Sequence, residues 1–218
     1  MDVIKYVQTA LKLWIFDEKA AQEVKDNEYP ILIGAMLIFV IGLFTSALTI
    51  LQEIITQPPV EESLFAMLGL SLSYTSLILV IPLALLSVAF FIGFALWSHI
   101  WIKILGGKNG LKKTLESFLL FSTTSNIVGV TFTIIGFSIA VLIRNQFVST
   151  IYDVLLAFIG LGILLWYIFV IVKSISIIHD MDIGKAILAG FIAVVSIFIG
   201  LFIIGFIIGI IVAIAIFS

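Results

Sequence analysis

Apolar residues occupy this chain in long stretches that contain no Asp, Glu, Lys or Arg. Five such stretches stand out, and they cover residues 31–52, 63–102, 117–143, 154–172 and 186–218. A helix needs about 20 mostly apolar residues to cross the roughly 30 Å hydrocarbon layer of a membrane. The pattern therefore predicts five membrane-spanning helices, at about 31–52, 75–105, 118–143, 154–173 and 187–216.

The second stretch is long enough for one span or for two. The basic residues favour one span, because Lys and Arg lie mostly on the cytoplasmic side of membrane proteins. With a single span here, all of the eleven basic residues except Arg144 fall on the side of the N-terminus. We expect one helix that kinks at Pro82, preceded by an interfacial or re-entrant segment at 64–74. The N-terminus is then cytoplasmic and the C-terminus outside.

Residues 1–30 form a separate N-terminal segment before the five-helix domain of residues 31–218. Val3, Val7, Leu11 and Trp14 recur at helical spacing within it. This pattern favours a short amphipathic helix that lies in the cytoplasmic interface of the membrane. A helix packed beneath the bundle fits the same pattern equally well.

Composition narrows the classes of protein further. The sequence is 62% hydrophobic and 11% charged, with a mean hydropathy of +1.33, whereas an average soluble domain is about 25% charged. These values exclude a soluble domain and a disordered chain, and a net charge of -2 without a basic arm argues against nucleic acid as a partner. Without cysteine, a disulfide framework and a thiolate metal site are also excluded. We predict an all-α integral membrane protein with five transmembrane helices plus a short N-terminal amphipathic helix.

A basic loop follows the second predicted span. It carries Lys103, Lys108, Lys112 and Lys113 around a Gly106-Gly107 pair. The glycines do not fit a phosphate-binding loop, which needs a Gly-Lys-Ser/Thr ending, and they fit a helix C-terminus instead. The four lysines can bind anionic lipid headgroups or a partner, or they can serve only to set the topology.

His99 is an ionisable residue near the end of the second span, and such residues are candidates for function. It can relay a proton or bind an ion or lipid phosphate with Lys103, or simply link neighbouring helices. A metal site is a further hypothesis if His99 meets His179, Asp180 and Asp182.

Polar residues also open the third span, among them Ser122, Thr123 and Asn126. They can hydrogen-bond to neighbouring helices or line a small polar cavity. In the last span, Gly205, Gly209 and Ala213 recur every four residues, which favours close helix packing. That packing can occur inside the bundle, in a homodimer, or against another membrane protein.

Four short segments resemble the Yip family of Ypt/Rab-interacting membrane proteins, whose core is a five-helix membrane domain. These are the opening Leu-Lys-Leu-Trp-Ile-Phe run, the segments 99–108 and 111–115, and the connection from His179 to Ala186. The resemblance implies a structural or adaptor role in membrane organisation. The N-terminal segment leaves little room to bind a Rab-type GTPase, and the ten lysines against one arginine favour a relative from the prokaryotic cell membrane.

No catalytic motif supports an enzyme, and Glu116 and Asp153 are predicted on opposite sides of the membrane. We therefore expect a non-enzymatic protein without cofactor or metal, whose partners include membrane lipids. The alternative is a small transporter or channel with polar groups of the second and third helices along its path.

Overall fold

The structure is a computed structural model, and it describes residues 2–56, 72–142 and 146–217. These residues form seven α-helices: α1 (Val3–Trp14), α2 (Glu18–Asp26), α3 (Ile31–Thr56), α4 (Leu72–Ile104), α5 (Leu111–Leu142), α6 (Gln146–Ile178) and α7 (Ile183–Phe217). The segment predicted at 64–74 lies outside the described residues, except that 72–74 belong to α4.

The helices α3 to α7 are long and apolar enough to cross a membrane. This confirms an all-α membrane protein with five spans, and α4 is one continuous helix with Pro82 inside it. The helix α5 begins at Leu111 rather than near 118. The charges of Lys112, Lys113 and Glu116 mark where the apolar stretch starts, but they do not prevent these residues from being helical.

The five long helices form a bundle whose neighbours are set by their contacts. Helix α3 packs most extensively against α4 and α5, while α7 packs between α4 and α6. Helices α1 and α2 lie against one end of this bundle, where α1 contacts α5 and α2 contacts α6. We call this end the head. It consists of α1, α2 and the adjoining ends of α3 to α7.

Packing is dense in the head and sparse in the rest of the bundle. Within α5, all side chains from Phe118 to Thr124 are buried, because α1 and α2 cover the side that would otherwise be exposed. Of the apolar window in α5, 39% is buried, compared with 6% in α6 and in α7. The head therefore has a core like that of a soluble protein, while the remaining helices turn apolar side chains outward, as expected for contact with lipid.

Helix α1 packs on the bundle through Tyr6, Ala10 and Leu13, which are at most 1% exposed. The predicted apolar stripe is a different face, since Val3 is 48% exposed and Leu11 41% exposed. The packing of one face confirms that α1 lies beneath the bundle, and its place in the membrane interface stays a prediction. One face packs beneath the bundle, and the other is apolar and uncovered by the described residues.

Three helices of the head end in a left-handed residue. These are Phe16 after α1 (φ 56°), Gly106 after α4 (φ 96°) and Asp180 after α6 (φ 50°). After α4, the amide of Gly107 donates to the carbonyl of Ile102 at 2.8 Å, which closes the helix end in the manner typical of a glycine cap. The interpretation of the Gly106-Gly107 pair as a helix terminator is confirmed.

Candidate functional site

Two histidines and a threonine meet inside the head. The Oγ1 atom of Thr114 in α5 lies 2.7 Å from Nδ1 of His99 in α4 and 3.2 Å from Nε2 of His179 at the end of α6. The two imidazole rings are 6.4 Å apart between centroids. One threonine side chain therefore joins the ends of three membrane helices.

The chemistry of the hydroxyl makes this a directional link. A hydroxyl carries one hydrogen and two lone pairs, so Thr114 can donate to at most one imidazole and accepts from an N–H group of the other. A ring that accepts from the hydroxyl must be neutral. His179 is 0% exposed, and burial, together with the nearby His99, lowers its pKa from 6.5 to about 4. The link is thus intact at neutral pH.

The loop between α4 and α5 is attached to the same place. The amide of Lys108 donates to the carbonyl of His179 at 2.9 Å, and the Asn109 side chain donates to the carbonyl of Ile178. These bonds satisfy carbonyls at the C-terminal end of α6, which would otherwise lack partners. The ring atom Nδ1 of His179 has no hydrogen-bond partner among the described residues.

Asp180 and Asp182, which were considered as metal ligands, make other contacts. Asp180 forms an ion pair with Lys25 at 2.6 Å, which lowers the pKa of that carboxyl, and Asp182 accepts from the amide of Gly184 at 2.8 Å at the start of α7. Among the described residues, no three His, Cys, Asp or Glu side chains come together as a metal site. His99 and His179 do meet, but a threonine lies between them.

A buried ion pair lies next to the histidine link. Glu116 has a side chain that is 0% exposed, and its Oε2 atom lies 3.0 Å from Nζ of Lys113. The same ammonium group donates to the carbonyls of Val24, at 2.9 Å, and of Asn27. Lys113 therefore places a cation at the C-terminal end of α2, where the helix dipole favours it. The bonds from Lys113 to these two carbonyls hold α2 on α5.

Sequence reasoning missed Glu116 as part of a site. Its second oxygen, Oε1, is buried without a partner among the described residues. The spacing of Lys113 and Glu116 gives a helical i,i+3 pair, which is visible in the sequence. Its burial depends on α1 and α2, however, and nothing local to α5 indicates that.

The predicted basic patch is largely engaged with the protein itself. Lys103 donates to the carbonyl of Gly107 at 3.1 Å, Lys112 pairs with Glu28 at 2.6 Å, and Lys113 makes the contacts given above. Lys108 is exposed. The four residues therefore do not form one free cationic surface, and Lys113 is mainly a structural residue of the head.

The predicted polar residues of α5 bond to their own helix. Ser122, Thr123 and Asn126 donate to the carbonyls four residues earlier, at 2.7, 2.8 and 2.7 Å. Thr124 also reaches another element, since it donates to the carbonyl of Ala10 in α1 at 2.8 Å. Thr124, the neighbour of the predicted residues, thus makes a cross-helix bond in this part of the chain.

The small residues of α7 are buried at the head end of the helix and unpacked at Gly205. Toward the head, Ala186, Ala189 and Ala193 are buried against the bundle. At Gly205, an added Cβ atom would meet nothing within 4 Å, so this glycine packs against no other described helix. The predicted Gly209 and Ala213 lie beyond the side chains that the structure describes.

Searches with this sequence and fold against family models, curated proteins and solved structures found no match. A functional interpretation therefore depends on the geometry of the head and of the membrane helices.

Proposed function

We propose that this chain is a non-enzymatic, multi-pass membrane protein with a structural or adaptor role in membrane organisation, similar to the role that the resemblance to the Yip family implies. In this proposal the head faces the cytoplasm, the C-terminus lies outside, and the membrane is that of a prokaryotic cell. The head is the part that other components of the membrane recognise. Lipids are its first partners, and a second membrane protein or a second copy is a further one.

The observation that carries the proposal is the contrast between the two parts of the molecule. The head has a dense core around Tyr6, Leu13 and Phe121, and buried polar links hold it to three of the five spans. A cap of this kind gives a membrane bundle a fixed surface at one end. A fixed surface suits binding and organisation, which require a constant shape rather than moving parts.

Four polar side chains of the spans support the same proposal. Ser122, Thr123 and Asn126 have partners on their own helix, and His99 has Thr114. A transporter or channel, the alternative function, needs polar groups that are free to bind its cargo along the path. The pairing observed here is the arrangement expected when polar residues serve packing.

Reconstitution into vesicles tests the proposal against this alternative. Purified protein in vesicles of phosphatidylcholine and phosphatidylglycerol should produce no proton or ion flux above that of empty vesicles. A flux that disappears in His99→Ala or Asn126→Ala would overturn the structural role and establish transport. Thr131→Val is a matched control, since Thr131 is exposed and bonds only to its own helix at 2.9 Å.

The orientation of the head has a test of its own. The sequence contains no cysteine, so a single Gln8→Cys variant offers one site for a membrane-impermeant maleimide. Intact cells should leave this site unlabelled, and inverted membrane vesicles should label it. Labelling in intact cells would place the head outside and contradict the proposed orientation.

A further inference from the structure

The outward face of α1 has no protein partner among the described residues. We call its members Val3, Ile4, Leu11 and Ile15 the outer edge. Ile4 is 65% exposed and Ile15 69% exposed, although both are large aliphatic side chains. Leaving such residues in water forgoes the free energy that burying an aliphatic side chain provides. A continuous apolar edge of this kind indicates contact with something other than water.

Contacts with α6 show the depth at which α1 lies. The indole Nε1 of Trp166 donates to the carbonyl of Trp14 at 2.9 Å, and the rings of Phe16 and Phe169 are 5.5 Å apart. Both α6 residues belong to the charge-free stretch 154–172, which at about 1.5 Å per residue spans the hydrocarbon layer once. Phe169 is one helical turn from the end of that stretch, so α1 lies at the edge of the hydrocarbon.

A lysine and several aromatic residues also lie at the edge of the hydrocarbon, next to the C-terminal end of α1. Lys173, which ends the charge-free stretch, places its ammonium group 5.8 Å from the centre of the Phe16 ring. Trp14 packs against Tyr167 with ring centroids 5.8 Å apart. Trp and Tyr are enriched at the boundary between hydrocarbon and headgroups, and lysine can extend from there to water. The C-terminal end of α1 thus lies in a boundary of the type membrane proteins commonly have.

The arrangement of residues around α1 agrees with this position. On a helical wheel with 100° between successive residues, Val7 and Trp14 lie between the buried face and the outer edge. Together they form one broad apolar arc. The polar residues occupy the remaining strip, and they are Lys5, Gln8 and Lys12. A helix with this distribution lies in the membrane plane, with its polar strip toward water.

We infer that α1 lies parallel to the membrane surface with its outer edge inserted between the lipids of the head-side leaflet. The helix then has two apolar partners, the bundle on one side and the lipid on the other. This inference deepens the proposed function, because it names lipid as the partner of a defined surface. It also makes α1 a wedge in one leaflet, fixed to the five spans by Trp166 and Thr124.

Site-specific fluorescence tests this position. Because the chain has no cysteine, Ile4→Cys and Gln8→Cys each provide one site for an environment-sensitive nitrobenzoxadiazole label. In vesicles of phosphatidylcholine and phosphatidylglycerol, the label at position 4 should emit at shorter wavelength than the label at position 8. Lipids spin-labelled near the top of the acyl chain should quench it several-fold more strongly, and aqueous iodide several-fold less.

Two results would overturn the inference. Equal quenching by iodide at both positions would place the outer edge in water. Protection from iodide without quenching by the spin-labelled lipids would place a protein there, such as a second copy of the chain. Leu11→Cys repeats the measurement if the first variant does not fold, and the tryptophan emission spectrum of each variant reports its folding. Ion flux, measured on the same vesicles, tests the proposed function separately.

Discussion

Replacing Thr114 by valine removes the hydroxyl that joins His99 to His179 and leaves the shape of the side chain almost unchanged. An unsatisfied buried partner costs about 1–3 kcal/mol. His99 is only partly buried and can regain water, so we assign it the lower value. His179 is completely buried and receives the higher one. We expect Thr114→Val to lower the free energy of unfolding of the head by about 2–4 kcal/mol.

Denaturant unfolding in lipid nanodiscs, followed by tryptophan fluorescence, measures this loss, since Trp14 and Trp101 lie in the head. The matched control is Thr131→Val, which removes an exposed hydroxyl bonded within its own helix and should change the stability by less than about 0.5 kcal/mol. If the two variants unfold at the same denaturant concentration, the hydroxyl does not hold the three helices together, and the reasoning about the histidine link is wrong.

Three further predictions concern the same head. The pKa of His179 is about 4 in the folded protein and returns to its ordinary value of 6.5 on unfolding, so unfolding takes up protons below pH 6.5. The stability of the head should therefore be complete above pH 6.5 and fall by roughly 3 kcal/mol as the pH drops to 4. A free energy of unfolding that does not change with pH would contradict this. Lys113→Met leaves Glu116 buried without its cation and should cost about 3–5 kcal/mol. Lys112→Met, at an exposed pair, should change the stability far less. Equal losses of thermal stability would refute a structural role for the buried pair. Gly106→Ala places a side chain at φ 96° and should destabilise the protein by about 1–2 kcal/mol, and an unchanged unfolding midpoint would argue against the left-handed cap.

The number of spans could be predicted because lipid imposes a simple requirement. Charged residues are costly in hydrocarbon, so charge-free stretches mark the spans. The side of the membrane on which the lysines fall favoured one span rather than two in the second stretch, where the structure has the single helix 72–104. The starts of helices are not subject to that requirement. Helix α5 continues through Lys112 and Glu116 into the head, because the partners there are α1, α2 and water rather than lipid.

The face of α1 that is buried could not be predicted. Apolar or small residues cover most of its circumference, and the stripe of Val3 and Leu11 is more hydrophobic than the buried set of Tyr6, Thr9 and Ala10. Shape decided the packing, because small residues let the helix approach α5 closely. Hydrophobic spacing alone identifies an apolar helix, but here two different partners share its apolar arc.

The candidate site was predictable only in part, for a related reason. His99 attracts attention as an ionisable residue within an apolar stretch, and the metal hypothesis paired it with His179, so both ends of the link were named. Thr114 is an ordinary residue in a polar segment, and its two histidine partners lie 15 and 65 residues away. Only the assembled bundle brings them together, so the central residue of the link has no signature in the sequence.

The head also has a consequence for how the chain is made. Lys25 in α2 pairs with Asp180, which is 155 residues further along. At about 5–20 residues per second, a ribosome needs roughly 8–30 s to synthesise that interval. For this time α2 lacks its contacts with α6, and the newly made α1–α2 hairpin remains available to chaperones and to the membrane surface. The α1–α2 segment is synthesised before the five spans and is therefore among the last elements to reach its final position.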